Sequence, residues 1–81
     1  MNSEQIIEVC NKYCSLLHNI EPIRENDKPN SMRHIKWMCI EIPELLRLNK
    51  IEKANRWLGF VQGVLWSNSI YDTHELKSDN R

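Results

Sequence analysis

Arg56-Trp57-Leu58-Gly59-Phe60-Val61-Gln62-Gly63-Val64-Leu65-Trp66 is the most apolar stretch of the chain, and its reading decides the fold. It holds two of the three tryptophans, the only phenylalanine and both glycines. At helical period it is apolar almost all round, interrupted mainly by Gly59, Gln62 and Gly63. A helix of that kind must be covered on several sides. Ile51, Ala54, Leu58, Val61 and Leu65 make its main stripe, at steps of three and four. Trp57, Phe60 and Val64 make a second stripe that needs cover of its own. Gly59 and Gly63, one turn apart, leave a shallow groove on the remaining side. A glycine inside a helix costs about 1 kcal/mol against alanine. Two on one side point to a backbone that comes close there, either helix one of the same chain or a helix of another molecule.

Working outward, Asn49-Lys50-Ile51-Glu52 reads as a capping box opening this third helix, which we expect to run to about Asn68 or Ser69. Before it, Ile35, Cys39, Ile42 and Leu46 mark a second helix, with Met32 and Met38 beside the stripe and Asn30 or Ser31 as its cap. Trp37, Ile40 and Leu48 also ask for cover. Pro43 cannot donate to the Cys39 carbonyl, so a kink is expected there; Leu45 and Leu46 continue the stripe beyond it. The connector from Glu21 to Asn30 carries Pro22 and Pro29 around a charged run and reads as a solvated linker. Ile6, Cys10, Tyr13, Leu17 and Ile20 define a one-sided first helix from about Ser3 to Ile20, capped by Asn2 or Ser3. Tyr71 precedes Asp72-Thr73-His74-Glu75, a cap-and-carboxylate pattern that predicts a short C-terminal helical turn. No strand pattern, repeat or low-complexity tract occurs. The expectation is a single all-α domain over residues 1–81: a helical hairpin with an N-terminal helix and a terminal turn.

Eighty-one residues allow one small core, and a chain of that size buries only about 60% of its unfolded surface. The apolar side chains exceed what such a core hides comfortably, which points to a homo-oligomer. Lys plus Arg and Asp plus Glu each number 11, for a formal net charge of zero. That speaks against nucleic-acid binding by bulk electrostatics, a DNA-binding regulator included. Cys10, Cys14 and Cys39 are an odd set of thiols, the start lacks a basic signal-type region, and no apolar run approaches a membrane span. The expected setting is therefore the cytoplasm, away from the membrane.

Candidates for chemistry are few. Cys10, Cys14 and His18 stand at i, i+4 and i+8, a spacing from which metal ligands can be drawn, with Cys39, His34 or His74 to complete a set. No C-x2-C pair accompanies them, and two of the thiols fall in the apolar seam, so core packing is the preferred reading and no metal or other cofactor is expected. There is no phosphate-cradling glycine loop, and no nucleophile has an evident base. The chain reads as non-enzymatic. For binding, Arg33, Lys36 and Trp37 open the second helix, while Arg47, Lys50, Lys53 and Arg56 cluster where the third begins. Arg56 next to Trp57 offers a cation beside an aromatic face, suited to an anionic nucleotide or partner. The candidate binding residues are thus Arg33, Lys36, Trp37, Arg56, Trp57, Gly59, Gly63 and Tyr71.

The segment from Met32 onward is similar to a group of small tailed-bacteriophage proteins, which occur alone or as the C-terminal end of longer accessory proteins. The residues that carry the likeness are Arg33-His34, Trp37-Met38-Cys39, Glu41-Ile42-Pro43, Lys53 through Trp66, Ile70-Tyr71, Glu75-Leu76-Lys77 and Asn80-Arg81. The resemblance implies a phage accessory protein acting on a host or phage protein, in the host cytoplasm. Ser69 stands where those proteins tend to have glycine. A fainter likeness is to phage proteins that sequester cyclic-nucleotide immune signals. Their Arg-Trp-Leu is followed by a more distant Gln-x-Gly; here Gln62 and Gly63 are adjacent and closer. That likeness implies a nucleotide-sequestering alternative.

Overall fold

The computed structural model describes residues 1–24, 28–29 and 31–68. It is all-α, with three helices: α1 (Ser3–Leu16), α2 (Met32–Arg47) and α3 (Ile51–Ser67). The described residues include no strand. α2 packs along both α1 and α3 and so forms the middle of the domain.

Asn2 caps α1 in a full capping box. Its side chain accepts from the Gln5 backbone N–H at 2.8 Å, and the Gln5 side chain accepts from the Asn2 backbone N–H at 2.8 Å. α1 ends at Leu16 rather than near Ile20, and residues 17–19 form a turn. Leu17 and Ile20 still pack on the core. Apolar spacing therefore overstated the α-helix, because one further turn, closed by i→i−3 bonds from the His18 and Ile20 N–H groups to the Ser15 and Leu17 carbonyls, keeps those two side chains inward. Ser31 caps α2 by accepting from the His34 N–H at 3.3 Å; Asn30 lies outside the described residues. α2 continues through Pro43 to Arg47. Ile42 and Leu45, on either side of the proline, are buried, and their burial outweighs the one backbone bond that proline cannot make.

Asn49 does not cap α3. It takes φ 62°, the left-handed conformation that asparagine tolerates better than most residues. Its N–H donates to the Leu46 carbonyl at 3.0 Å, and the Lys50 N–H donates to the Leu45 carbonyl at 2.8 Å. This pair of bonds is a Schellman closure of α2. Asn49 thus terminates one helix instead of opening the next. Lys50 occupies the N-cap of α3, with no side-chain cap bond.

The core combines Ile6, Val9, Cys10 and Tyr13 of α1, Ile35, Met38, Cys39, Ile42 and Leu45 of α2, and Ala54, Leu58, Val61, Val64 and Leu65 of α3. Ile51, placed by periodicity on the core stripe, is 47% exposed, because the first residue of α3 lies beyond the end of the stripe it would join. Ile40 and Leu48 are also exposed. A polar contact crosses this core: Gln62 Nε2 donates to the Tyr13 hydroxyl at 3.1 Å. Tyr13 is fully buried and Gln62 nearly so. The bond ties α3 to α1 and sets their relative register.

Removing either member deletes one buried hydrogen bond, a loss of about 0.5–1.5 kcal/mol. Tyr13→Phe and Gln62→Leu should each lower stability in urea titrations by about that amount, and the double variant should lose less than the sum of the two.

Candidate functional site

The candidate residues divide among four places. Arg33 and Lys36, on the first turns of α2, reach back to the chain that follows α1. Lys36 Nζ donates to the Ile20 carbonyl at 2.8 Å and to the His18 carbonyl at 3.4 Å. Arg33 Nε donates to the Glu21 carbonyl at 3.2 Å, and the Ile23 N–H donates to the Arg33 carbonyl at 3.2 Å. Both cations therefore fasten the connector to α2, satisfying carbonyls that α1 leaves open.

Trp37 and Trp57 lie in the seam between α2 and α3, half-buried against the core. Trp37 is stacked on His34 with centroids 5.4 Å apart, and meets Trp57 at 5.6 Å with the rings tilted by 47°. The cation on Trp57 is Lys53, whose Nζ lies 5.2 Å from the ring centroid; the sequence had suggested Arg56. Residue 53 precedes Trp57 by one helical turn, which puts the two side chains on the same side, whereas adjacent residues diverge. His34 Nδ1 is buried with no hydrogen-bond partner among the described residues.

Arg56 stands apart from Arg33 and Lys36. With Asn49, Lys50, Ile51, Glu52 and Lys53 it lines an open cleft of about 500 Å³ at the start of α3. The structure does not gather Arg33, Lys36, Trp37 and Arg56 into one binding site, and Tyr71 lies outside the described residues, as does the C-terminal turn. Arg47 is engaged by Glu44: its Nε donates to Oε2 at 2.9 Å and its Nη2 to Oε1. This bond holds the Glu44 carboxyl below its ordinary range.

The fourth place is the outer face of α3. Gly59 and Gly63 are exposed, and a Cβ built on either would meet nothing within 4 Å among the described residues. Helix one does not lie in this groove. It packs on α2 instead, since its own stripe is served by Ile35 and Cys39. Phe60 and Trp66 sit three residues before and after Gly63, hence about 60° to either side of it on a helix of about 3.6 residues per turn. They are 42% and 53% exposed. The glycines thus form the floor of a shallow channel with an aromatic ring on each wall. The second stripe anticipated on α3 is split by the fold: Val64 is buried, Trp57 half-buried and Phe60 exposed.

The thiols belong to the core. Cys10 and Cys39 are buried, Cys14 is half-buried, and none is in a disulfide. Desolvation, with the neighbouring Cys14 adding to it, pushes the Cys10 thiol up to about 12. Desolvation raises Cys39 as well, with Cys10 and Cys14 contributing. Burial also raises Cys14, against the opposing charge of Lys36. His18 is exposed, and its Nδ1 lies 3.2 Å from the Ser15 carbonyl. Among the described residues no three His, Cys, Asp or Glu side chains are placed to hold a metal ion. No helix among them is long and apolar enough to cross a membrane.

The residue that sequence reading missed is Gln62, seen only as a break in an apolar run. Its signal was available: a glutamine inside a helix covered on several sides needs a buried partner, and Tyr13 is the one hydroxyl-bearing residue in the facing seam. Comparison with protein-family models, curated proteins and solved structures finds no match for the chain.

A thiol whose native pKa is raised keeps its full stabilising contribution below the unfolded value of 9.0 and loses it as pH climbs toward about 12. Stability should therefore fall between those pH values. The fall should be smaller in a Cys10→Ala variant compared with its own neutral-pH stability. In a thiol-reagent time course at neutral pH, Cys14 should react before Cys10 and Cys39.

Proposed function

We propose that this chain is a non-enzymatic interaction module that receives a helix on the outer face of α3. The observation that carries the reading is the channel of Gly59 and Gly63 between Phe60 and Trp66. Two mid-helix glycines give up about 1 kcal/mol each in helix propensity, and none of the described residues fills the space they leave. Close approach of another backbone is what that space permits, and the exposed aromatic walls supply apolar area to bury. The similarity of the segment from Met32 onward to small phage proteins supports a phage accessory role, with a host or phage protein or a second copy of the chain as partner, in the cytoplasm of the host.

A nucleotide-sequestering role draws less support. Arg33 and Lys36 are occupied with the connector, and Trp37 and Trp57 are packed into the helix seam. What favours an anion is the cleft lined by Lys50, Lys53 and Arg56, at a helix start without a side-chain cap. A thermal-shift screen with cyclic di- and trinucleotides tests it; absence of any shift removes it.

The docking reading makes opposite demands on folding and association. Gly63→Ala should raise the melting temperature of the domain, as alanine gains about 1 kcal/mol over glycine in a helix. Gly59→Leu should keep the helical circular dichroism but abolish association, scored both by sedimentation and by recovery of partners from bacterial lysate. If Gly59→Leu binds and self-associates as the parent chain does, the outer face of α3 is not the interaction surface.

A further inference from the structure

We infer that the end of the α2–α3 hairpin docks on an anionic phospholipid bilayer, with a lipid headgroup in the cleft at the start of α3 and two aliphatic side chains in the interfacial layer. This does not rest on the glycine channel. Charge complementarity carries it. The cleft is lined by Lys50, Lys53 and Arg56 against one carboxylate, Glu52, an excess of two cations. Arg47, at the same end, is engaged by Glu44 and adds no free charge. Lys53 is occupied with Trp57. The side chains of Lys50 and Arg56 are exposed and have no hydrogen-bond or ion-pair partner among the described residues. Two unpaired cations therefore border an open space of about 500 Å³.

The aliphatic side chains favour a bilayer over an anion in water. Leu48, just past α2, and Ile51, the first residue of α3, are 51% and 47% exposed. They bracket Asn49 and Lys50 in the turn, so apolar and cationic groups share one end of the hairpin. A dissolved anion would engage the cations and leave both aliphatic groups in water. A bilayer surface engages all of them: headgroup phosphates and carboxylates meet the ammonium and guanidinium groups, and the aliphatic groups enter the layer beneath. A nucleobase would call for an aromatic platform, and Trp57 is half-buried and already carries Lys53. The formal net charge of zero does not oppose docking. Screening limits the bilayer's field to about 8 Å at physiological ionic strength, so only charges at the docking end count. With so few groups taking part, the contact is peripheral and reversible.

The test is flotation of the full chain with lipid vesicles. Vesicles of phosphatidylcholine and phosphatidylserine at about three to one should carry the chain, and added salt should release it. Vesicles of phosphatidylcholine alone should leave it behind. Lys50→Gln combined with Arg56→Gln should weaken binding by about 30-fold. Leu48→Ser combined with Ile51→Ser should weaken it by about tenfold and leave its salt dependence unchanged. All four positions are exposed, and circular dichroism checks that each variant keeps its helices. No flotation with phosphatidylserine, equal flotation with both lipids, or flotation unchanged by the two glutamines overturns the inference. So does binding indifferent to the two serines. If the chain then takes up a soluble cyclic dinucleotide instead, the cleft serves an anion in water and the bilayer assignment falls.

Discussion

An 81-residue chain has room for one core, and here the whole domain depends on α2 being covered along two sides. Ile35, Cys39 and Ile42 are essentially without exposure. Neither α1 nor α3 alone would achieve that. Burial of a full aliphatic side chain is worth about 1.5–3 kcal/mol, so this small set of contacts accounts for much of what opposes chain entropy. The other features serve to bring the two covering helices into place. The left-handed turn at Asn49 reverses the chain so that α3 returns along α2. Lys36 and Arg33 hold the connector so that α1 lies on its other side.

Covering α2 in this way has consequences for α3. A helix that is apolar nearly all round can turn only part of its surface toward α2 and, through Gln62, toward Tyr13 of α1. With α1 committed to α2, no further element among the described residues lies over the far side of α3. Gly59, Phe60, Gly63 and Trp66 are what remains there. The outer face is thus a by-product of helix count as well as a feature of the sequence, and this links the architecture to the interaction role we propose.

Candidate residues chosen for their chemistry fared differently from those chosen for their shape. Arg33 and Lys36 looked available because charged side chains on a helix start usually are. In the fold they donate to carbonyls of residues 18–21, a structural use that depends on where the connector passes. Arg56 was paired with Trp57 because they are neighbours in sequence, but a helix turns neighbours apart and brings Lys53 over the indole. The glycines were legible as a groove without difficulty, since their lack of a side chain does not depend on context. Whether helix one filled that groove was not legible.

By itself the sequence determined the number and kind of helices, most of the core stripes, the caps to within two neighbouring residues (Asn2 or Ser3, Asn30 or Ser31) and the existence of a glycine strip. These follow from local periodicity and from short-range hydrogen bonding, which act over a few residues. The tertiary structure alone decided that Asn49 closes α2 instead of opening α3, because the same side chain suits either role and the direction of the returning helix selects one. That α2 continues past Pro43 was legible in the stripe that Leu45 and Leu46 carry beyond it, and the burial of Ile42 and Leu45 secures it. The fold alone paired Gln62 with Tyr13, a contact 49 residues apart in the chain. Finally, it left the Arg56–Trp66 strip facing outward, because packing, which no local pattern encodes, placed α1 against α2 and not against the glycines.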